Sequence, residues 1–134
     1  MLNFWCDIHT AEDECSRQSV SKSDRSCVIH FTDAQAHIPG PAGEHAINML
    51  HRGTLDVALS SPISPVKQTP HAQDEIYVVV RGRAVAVHDG EREACEAGDL
   101  VFVAAGTEHQ FENLSDGFAV WRVFYGPDGG EPQQ

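Results

Sequence analysis

The second half of the chain runs in short segments where apolar and polar residues alternate, each segment closed by a turn signal. Thr54 to Ser60 sets Leu55, Val57 and Leu59 against Thr54, Asp56, Ala58 and Ser60, the repeat of a half-buried strand, and Pro62 and Pro65 end it. The run from Glu75 closes in the β-branched Val78-Val79-Val80 before Arg81-Gly82, which predicts a second strand. Ala84 to His88 follows, and Asp89-Gly90 is a strong two-residue hairpin signal. Glu91 to Cys95 returns, Glu96 to Asp99 turns, and Leu100 to Val103 leads to a bend at Ala104-Ala105-Gly106. His109 to Glu112, a turn at Ser115-Asp116-Gly117 and Phe118 to Tyr125 complete the pattern. Short strands at regular intervals predict an all-β fold, an antiparallel barrel or double-sheet jelly roll.

The last segment, Phe118-Ala119-Val120-Trp121-Arg122-Val123-Phe124-Tyr125, is apolar on both faces. A small barrel has one interior, so the outer face of this strand is expected to be covered by the N-terminal segment or a second subunit. Trp121 and Arg122 point opposite ways, and the inward one is a candidate for substrate contact. An inward Arg122 makes a natural carboxylate clamp; an outward one makes a surface salt bridge.

Upstream, the pattern dissolves. Ala11 to Ser26 is polar, rich in Ser, Asp and Glu, without apolar periodicity, and predicts a mobile extension. Phe4, Trp5 and Ile8 are enough to dock it on the barrel or a partner. Pro39-Gly40-Pro41-Ala42-Gly43 marks a turn before the folded body. The expected organisation is an N-terminal extension over 1–29, a barrel over 30–127 and a disordered tail over 128–134.

Composition narrows the class. At 134 residues the chain fits one domain with a sizeable core. Its formal charge of −11 argues against nucleic acid or an anionic membrane surface as a partner, since both need a basic patch. No apolar run reaches the length of a bilayer span and no secretory leader is evident, so a cytoplasmic location is the default expectation. Cys6, Cys15, Cys27 and Cys95 lack paired C-x2-C spacing, and free thiols in a reducing compartment are expected, with Cys95 a small semi-buried residue.

The candidate chemistry lies in Thr69-Pro70-His71-Ala72-Gln73-Asp74-Glu75 and in Gly106-Thr107-Glu108-His109. Strand alternation puts Glu75, Tyr77 and Val79 on one face, and His109, Phe111 and Asn113 on one face. His71 reaches the Glu75 side if the chain stays nearly extended; a turn at Gln73-Asp74 is the alternative. Two imidazoles and a carboxylate converging on one side of a sheet form a facial triad with open positions, suited to one divalent transition metal such as Fe, Mn, Zn or Ni. Each residue alone has a bland reading as a solvated or hydrogen-bonded strand residue. Thr69 and Gln73 are candidates for a fourth or nearby ligand, with Gln68 and His51 further upstream. His51 reads equally well as an exposed strand-end residue beside Arg52-Gly53. Tyr77 shares the Glu75 face and is the candidate catalytic residue, with a plain core tyrosine as its alternative.

These two stretches resemble the paired motifs of the cupin superfamily. The first motif reads G-x5-H-x-H-x3-E-x6-G, and His71, Glu75 and Gly82 fall on its second His, its Glu and its closing Gly. The second reads G-x5-P-x-G-x2-H-x3-N, matched by Gly98, Gly106, His109 and Asn113. Thr69 stands at the first His, Ile63 at the opening Gly and Ala104 at the Pro. The resemblance covers roughly residues 46–125. It implies a double-stranded β-helix barrel, a metal ion inside it and a homodimer. Cupin barrels carry dioxygenases, isomerases, lyases and binding proteins, so the fold does not fix the reaction. The expected function is a metal-dependent enzyme of dioxygenase, isomerase or lyase type, acting on a small organic acid, phenol or sugar-like molecule. The alternative is a non-catalytic small-ligand-binding or sensor barrel.

Overall fold

Alternation along the chain resolves into eight strands among the described residues: β1 (Ala46–Arg52), β2 (Leu55–Ser60), β3 (Asp74–Arg81), β4 (Arg83–His88), β5 (Glu91–Glu96), β6 (Leu100–Val103), β7 (His109–Glu112) and β8 (Ala119–Tyr125). One short helix, α1 (Phe31–Gln35), precedes them. This computed structural model describes residues 25–65 and 68–133, so Phe4, Trp5, Ile8 and most of the polar extension lie outside the described residues. No helix among them is long and apolar enough to cross a membrane.

The strands form two antiparallel sheets, one of five in the order β1-β2-β8-β3-β6 and one of three in the order β5-β4-β7. The hairpin at Asp89-Gly90 forms as expected: both residues have positive φ, 52° and 77°, which matches the right-handed twist of the flanking strands. β8 lies between β2 and β3, which explains its apolar composition. Its inner face gives Val120 to a core shared with Tyr77, Val79, Phe111 and Phe118. Its outer face gives Ala119 and Trp121 to a second core, closed by Ile29, Phe31, Ala34 and Ile38. Among the described residues, the segment around α1, from Ile29 to Ile38, covers this face. The Arg81 guanidinium caps it, 5.2 Å from the Phe31 ring centre.

Two elements were not legible in the sequence. β1 alternates, burying Ile47 and Met49, and shifts its register against β2 between Asn48 and Leu50; the sequence offered only its end, at His51 beside Arg52-Gly53. At five residues, α1 is too short to display helical periodicity. The stretch expected as a disordered tail is held to the barrel: the Gly129 N–H donates to the Ala72 carbonyl at 2.6 Å, and the Glu131 N–H to Asp74 Oδ2 at 2.9 Å. Cys95 is a buried free thiol, as expected, whereas Cys27 is disulfide-bonded, correcting the free-thiol expectation at that position. Disulfide pairing follows proximity in space, which spacing along the chain does not report.

Candidate metal centre

Glu75 and Tyr77 point inward from β3, and His109 points inward from the start of β7. The two strands belong to different sheets, so the groups meet across the barrel rather than on one side of one sheet. His71 precedes β3. The chain bends at Ala72-Gln73 instead of running extended, yet one ligand atom each from His71, Glu75 and His109 lie within 4.8 Å of one another. Four contacts set the bend. The Gln73 amide nitrogen donates to the carbonyls of Thr54 and Gly126, both at 2.9 Å. The His71 carbonyl accepts from the Gly106 N–H at 2.8 Å. The His71 ring packs edge-on against Phe124, with centroids 4.7 Å apart.

Burial makes the group chemically unusual. Glu75 is 1% exposed, and neither of its carboxylate oxygens receives a hydrogen bond of acceptable geometry. Nδ1 of His109 lies 2.9 Å from the Thr107 carbonyl, which only accepts, so Nδ1 carries a proton and Nε2 faces the interior. That Nε2 lies 3.0 Å from Glu75 Oε1 and 3.1 Å from the Tyr77 hydroxyl. In the neutral imidazole, a nitrogen lone pair and a carboxylate oxygen would face each other at this distance. The arrangement calls for a cation between them, either a proton or a metal ion.

Comparison with known proteins agrees with this architecture. The Cupin domain family matches residues 61–125, spanning both motif stretches and with them His71, Glu75 and His109. Over those residues the chain carries a cupin domain. An uncharacterized protein of Streptomyces coelicolor is 43% identical over 61 residues, which is 46% of this chain and 58% of that relative. The chain therefore spans under two thirds of that relative's length. A Cupin 2 conserved barrel domain protein from Salinispora arenicola superposes with a TM-score of 0.58 at 24% identity, over 76% of this chain and 91% of that one. KdgF from Halomonas sp. superposes with a TM-score of 0.52 at 23% identity, over 59% of this chain and 74% of that one. At such identities these two likenesses concern the fold.

The cupin motif's small residues are structural. Gly82 has φ +79°, and a Cβ there would meet the Ser115 hydroxyl at 2.5 Å and Phe118 Cα at 3.1 Å. Asn113 has φ 54°, a left-handed conformation that Asn tolerates better than most residues. The motif's titratable residues are the ones that converge inside the cupin barrel.

The remaining candidates fall in different places. Thr69 is exposed, beside Gln68, whose backbone N–H donates to the His109 carbonyl at 2.9 Å. Gln73 anchors the bend through its amide nitrogen. His51 is an exposed strand-end residue whose Nδ1 lies 2.8 Å from Asp56 Oδ1. Arg122 points inward, opposite Tyr77, while Trp121 packs outward on the α1 side. Phe124, which orients His71, was not singled out in the sequence; its position two residues beyond Arg122, on the same strand face, was the available signal.

Proton affinities follow the surroundings. Burial raises the Tyr77 phenol well above its usual range, helped by the Glu75 carboxylate beside it. Burial lowers His71, with Glu75 opposing. For His109 burial also disfavours the charged form, but the adjoining Glu75 carboxylate and the Thr107 carbonyl outweigh it, and the net shift is upward.

A groove of about 460 Å³ between the β4–β5 turn and Gly106 to Gln110 reaches His109 but includes neither His71 nor Glu75. A smaller cavity, about 30 Å³, is lined by Tyr77, Arg122, Gln68, Ser60, Ser64, Pro62 and Phe111. Tyr77 therefore borders both the triad and this cavity.

Proposed function

We propose that the barrel holds one divalent transition metal through His71 Nε2 or Nδ1, Glu75 and His109 Nε2, and that it works as a metal-dependent enzyme on a small oxygen-bearing substrate. The observation that carries this is the buried Glu75 carboxylate without donors, 3.0 Å from the interior nitrogen of His109. A divalent ion satisfies both groups and relieves the cost of burying an unpaired charge. The donor set, two imidazoles and one carboxylate, suits Fe, Mn, Zn or Ni. When bound, the metal supplies Lewis acidity or redox capacity.

The protein's own residues do the rest. The Thr107 carbonyl fixes the His109 tautomer and aims Nε2 inward. Phe124 holds the His71 ring. Tyr77 keeps its proton at neutral pH, so its hydroxyl serves as a hydrogen-bond donor to a substrate oxygen. Three protein ligands leave coordination positions open, the arrangement of catalytic rather than structural sites.

Loading with Fe(II) under anaerobic conditions and adding nitric oxide tests this. An adduct seen by electron paramagnetic resonance is expected. A loaded site that binds neither nitric oxide nor a small anion would favour a non-catalytic binding barrel.

We also propose a homodimer. β6 is the free edge of the five-stranded sheet, and its outward Leu100 and Phe102 are 61% and 50% exposed. A second copy pairing edge to edge would cover both residues and remove the open edge. Light scattering should give twice the chain mass, with Phe102→Lys shifting it to one chain; a wild-type monomer at micromolar concentration would refute it.

A further inference from the structure

Arg122 is the buried cation that the metal centre does not use. It faces inward on β8, directly across from Tyr77 on β3. Its Nε is buried without a hydrogen-bond partner. Among the described residues, no carboxylate pairs with its guanidinium. Its only described companion is the Phe124 ring, whose centre lies 5.5 Å from Cζ. A half-buried guanidinium that faces a barrel interior without an ion-pair partner is costly, since buried charges are ordinarily paired. The cavity that it lines also presents the Ser60, Ser64, Gln68 and Tyr77 side chains.

The guanidinium fork matches two oxygens in a plane bidentately, the geometry that a carboxylate presents.

We propose that Arg122 is a specificity-determining residue that binds the carboxylate of a short organic acid, with Tyr77 between it and the metal centre. The proposal rests on the reading of the site given above for its orientation: the carboxylate faces Arg122 and the acid's second oxygen function faces His71, Glu75 and His109. The substrate class is then a small 2-hydroxy or 2-oxo acid rather than a neutral sugar or simple phenol. Charge supports it, because the bound divalent ion and Arg122 carry three positive charges against one on Glu75, and an anionic ligand reduces the excess.

The test uses the full chain, with pyruvate and lactate as acid probes and lactamide as the neutral isostere of lactate, measured by calorimetry before and after Mn(II) or Ni(II) loading. Wild type should bind the acids and discriminate against lactamide at least tenfold. Arg122→Gln should weaken acid binding about ten- to a hundredfold, and Arg122→Lys should recover part of it, with metal content unchanged in both. Equal affinity for acid and amide in the wild type, or no acid binding up to tens of millimolar, overturns the proposal even if the variants fail to fold. Equal acid affinity in folded Arg122→Gln overturns it as well. Failure of the metal reading would look different: no metal retained, with Arg122-dependent acid binding still present in the metal-free protein.

Discussion

Replacing Glu75 with Gln should separate what the buried carboxylate does for folding from what it does for metal binding. Glu75 is 1% exposed and lies 3.0 Å from His109 Nε2, with the Tyr77 phenol and His71 beside it, while both its oxygens lack a good donor. Replacing a buried ion pair with neutral groups is often neutral or stabilising by about 1–4 kcal/mol. Here the partner can follow: without the carboxylate His109 loses the interaction that raises its proton affinity and becomes neutral, and the new amide can donate to its bare Nε2. We expect metal-free Glu75→Gln to be more stable by about 1–2 kcal/mol at pH 7.5. For a domain of this size that is roughly 4–8 °C in Tm. The order reverses with metal. A ligand at a hundredfold excess over its Kd stabilises by about 2.7 kcal/mol, roughly 10 °C here, and the variant should lose most of that gain. Thermal melts by circular dichroism in chelator and in Mn(II), Zn(II) or Ni(II) give both numbers. A metal-free variant that melts below wild type, or one that keeps the full metal-induced rise, would refute the reasoning.

Two further outcomes follow from the same geometry. Because His109 holds its proton to higher pH than an ordinary histidine, metal must displace it, and affinity should fall about tenfold per pH unit below that raised value, with proton release visible by calorimetry in buffers of different ionisation enthalpy. The sign for the metal-free protein is opposite: stability from the His109–Glu75 pair is fully present below the ordinary histidine pKa near 6.5 and is lost as pH rises through the folded value. Thr69→His should tighten metal retention on the order of tenfold by adding an imidazole two residues before His71; competition with a chelator measures it, and unchanged affinity in a folded variant means that position 69 does not reach the metal.

Much of this arrangement was legible because strand alternation is a strict local rule. The turn at Asp89-Gly90, the strand from Glu75 and the inward set Glu75, Tyr77 and Val79 all follow from it. The same rule left Trp121 and Arg122 undecided, because β8 is buried on both faces and composition cannot say which face is the interior. Only the register with β3, which puts Arg122 opposite Tyr77, decides it. The bend at Ala72-Gln73 was also beyond local reading, since it depends on carbonyls of Thr54 and Gly126, 19 and 53 residues away along the chain. His71 meets Glu75 through those long-range contacts and not through an extended backbone.

Metal content tests the central claim most directly. Protein purified without chelator, and protein reloaded with Mn(II), Fe(II), Zn(II) or Ni(II) and desalted, should carry about one metal ion per chain by elemental analysis. The double variant His71→Ala/His109→Ala, folded by circular dichroism, should carry almost none after the same mild chelation. Equal metal in the two proteins, or no retained metal in wild type after reloading with all four ions, would contradict the assignment of His71, Glu75 and His109 as the metal site.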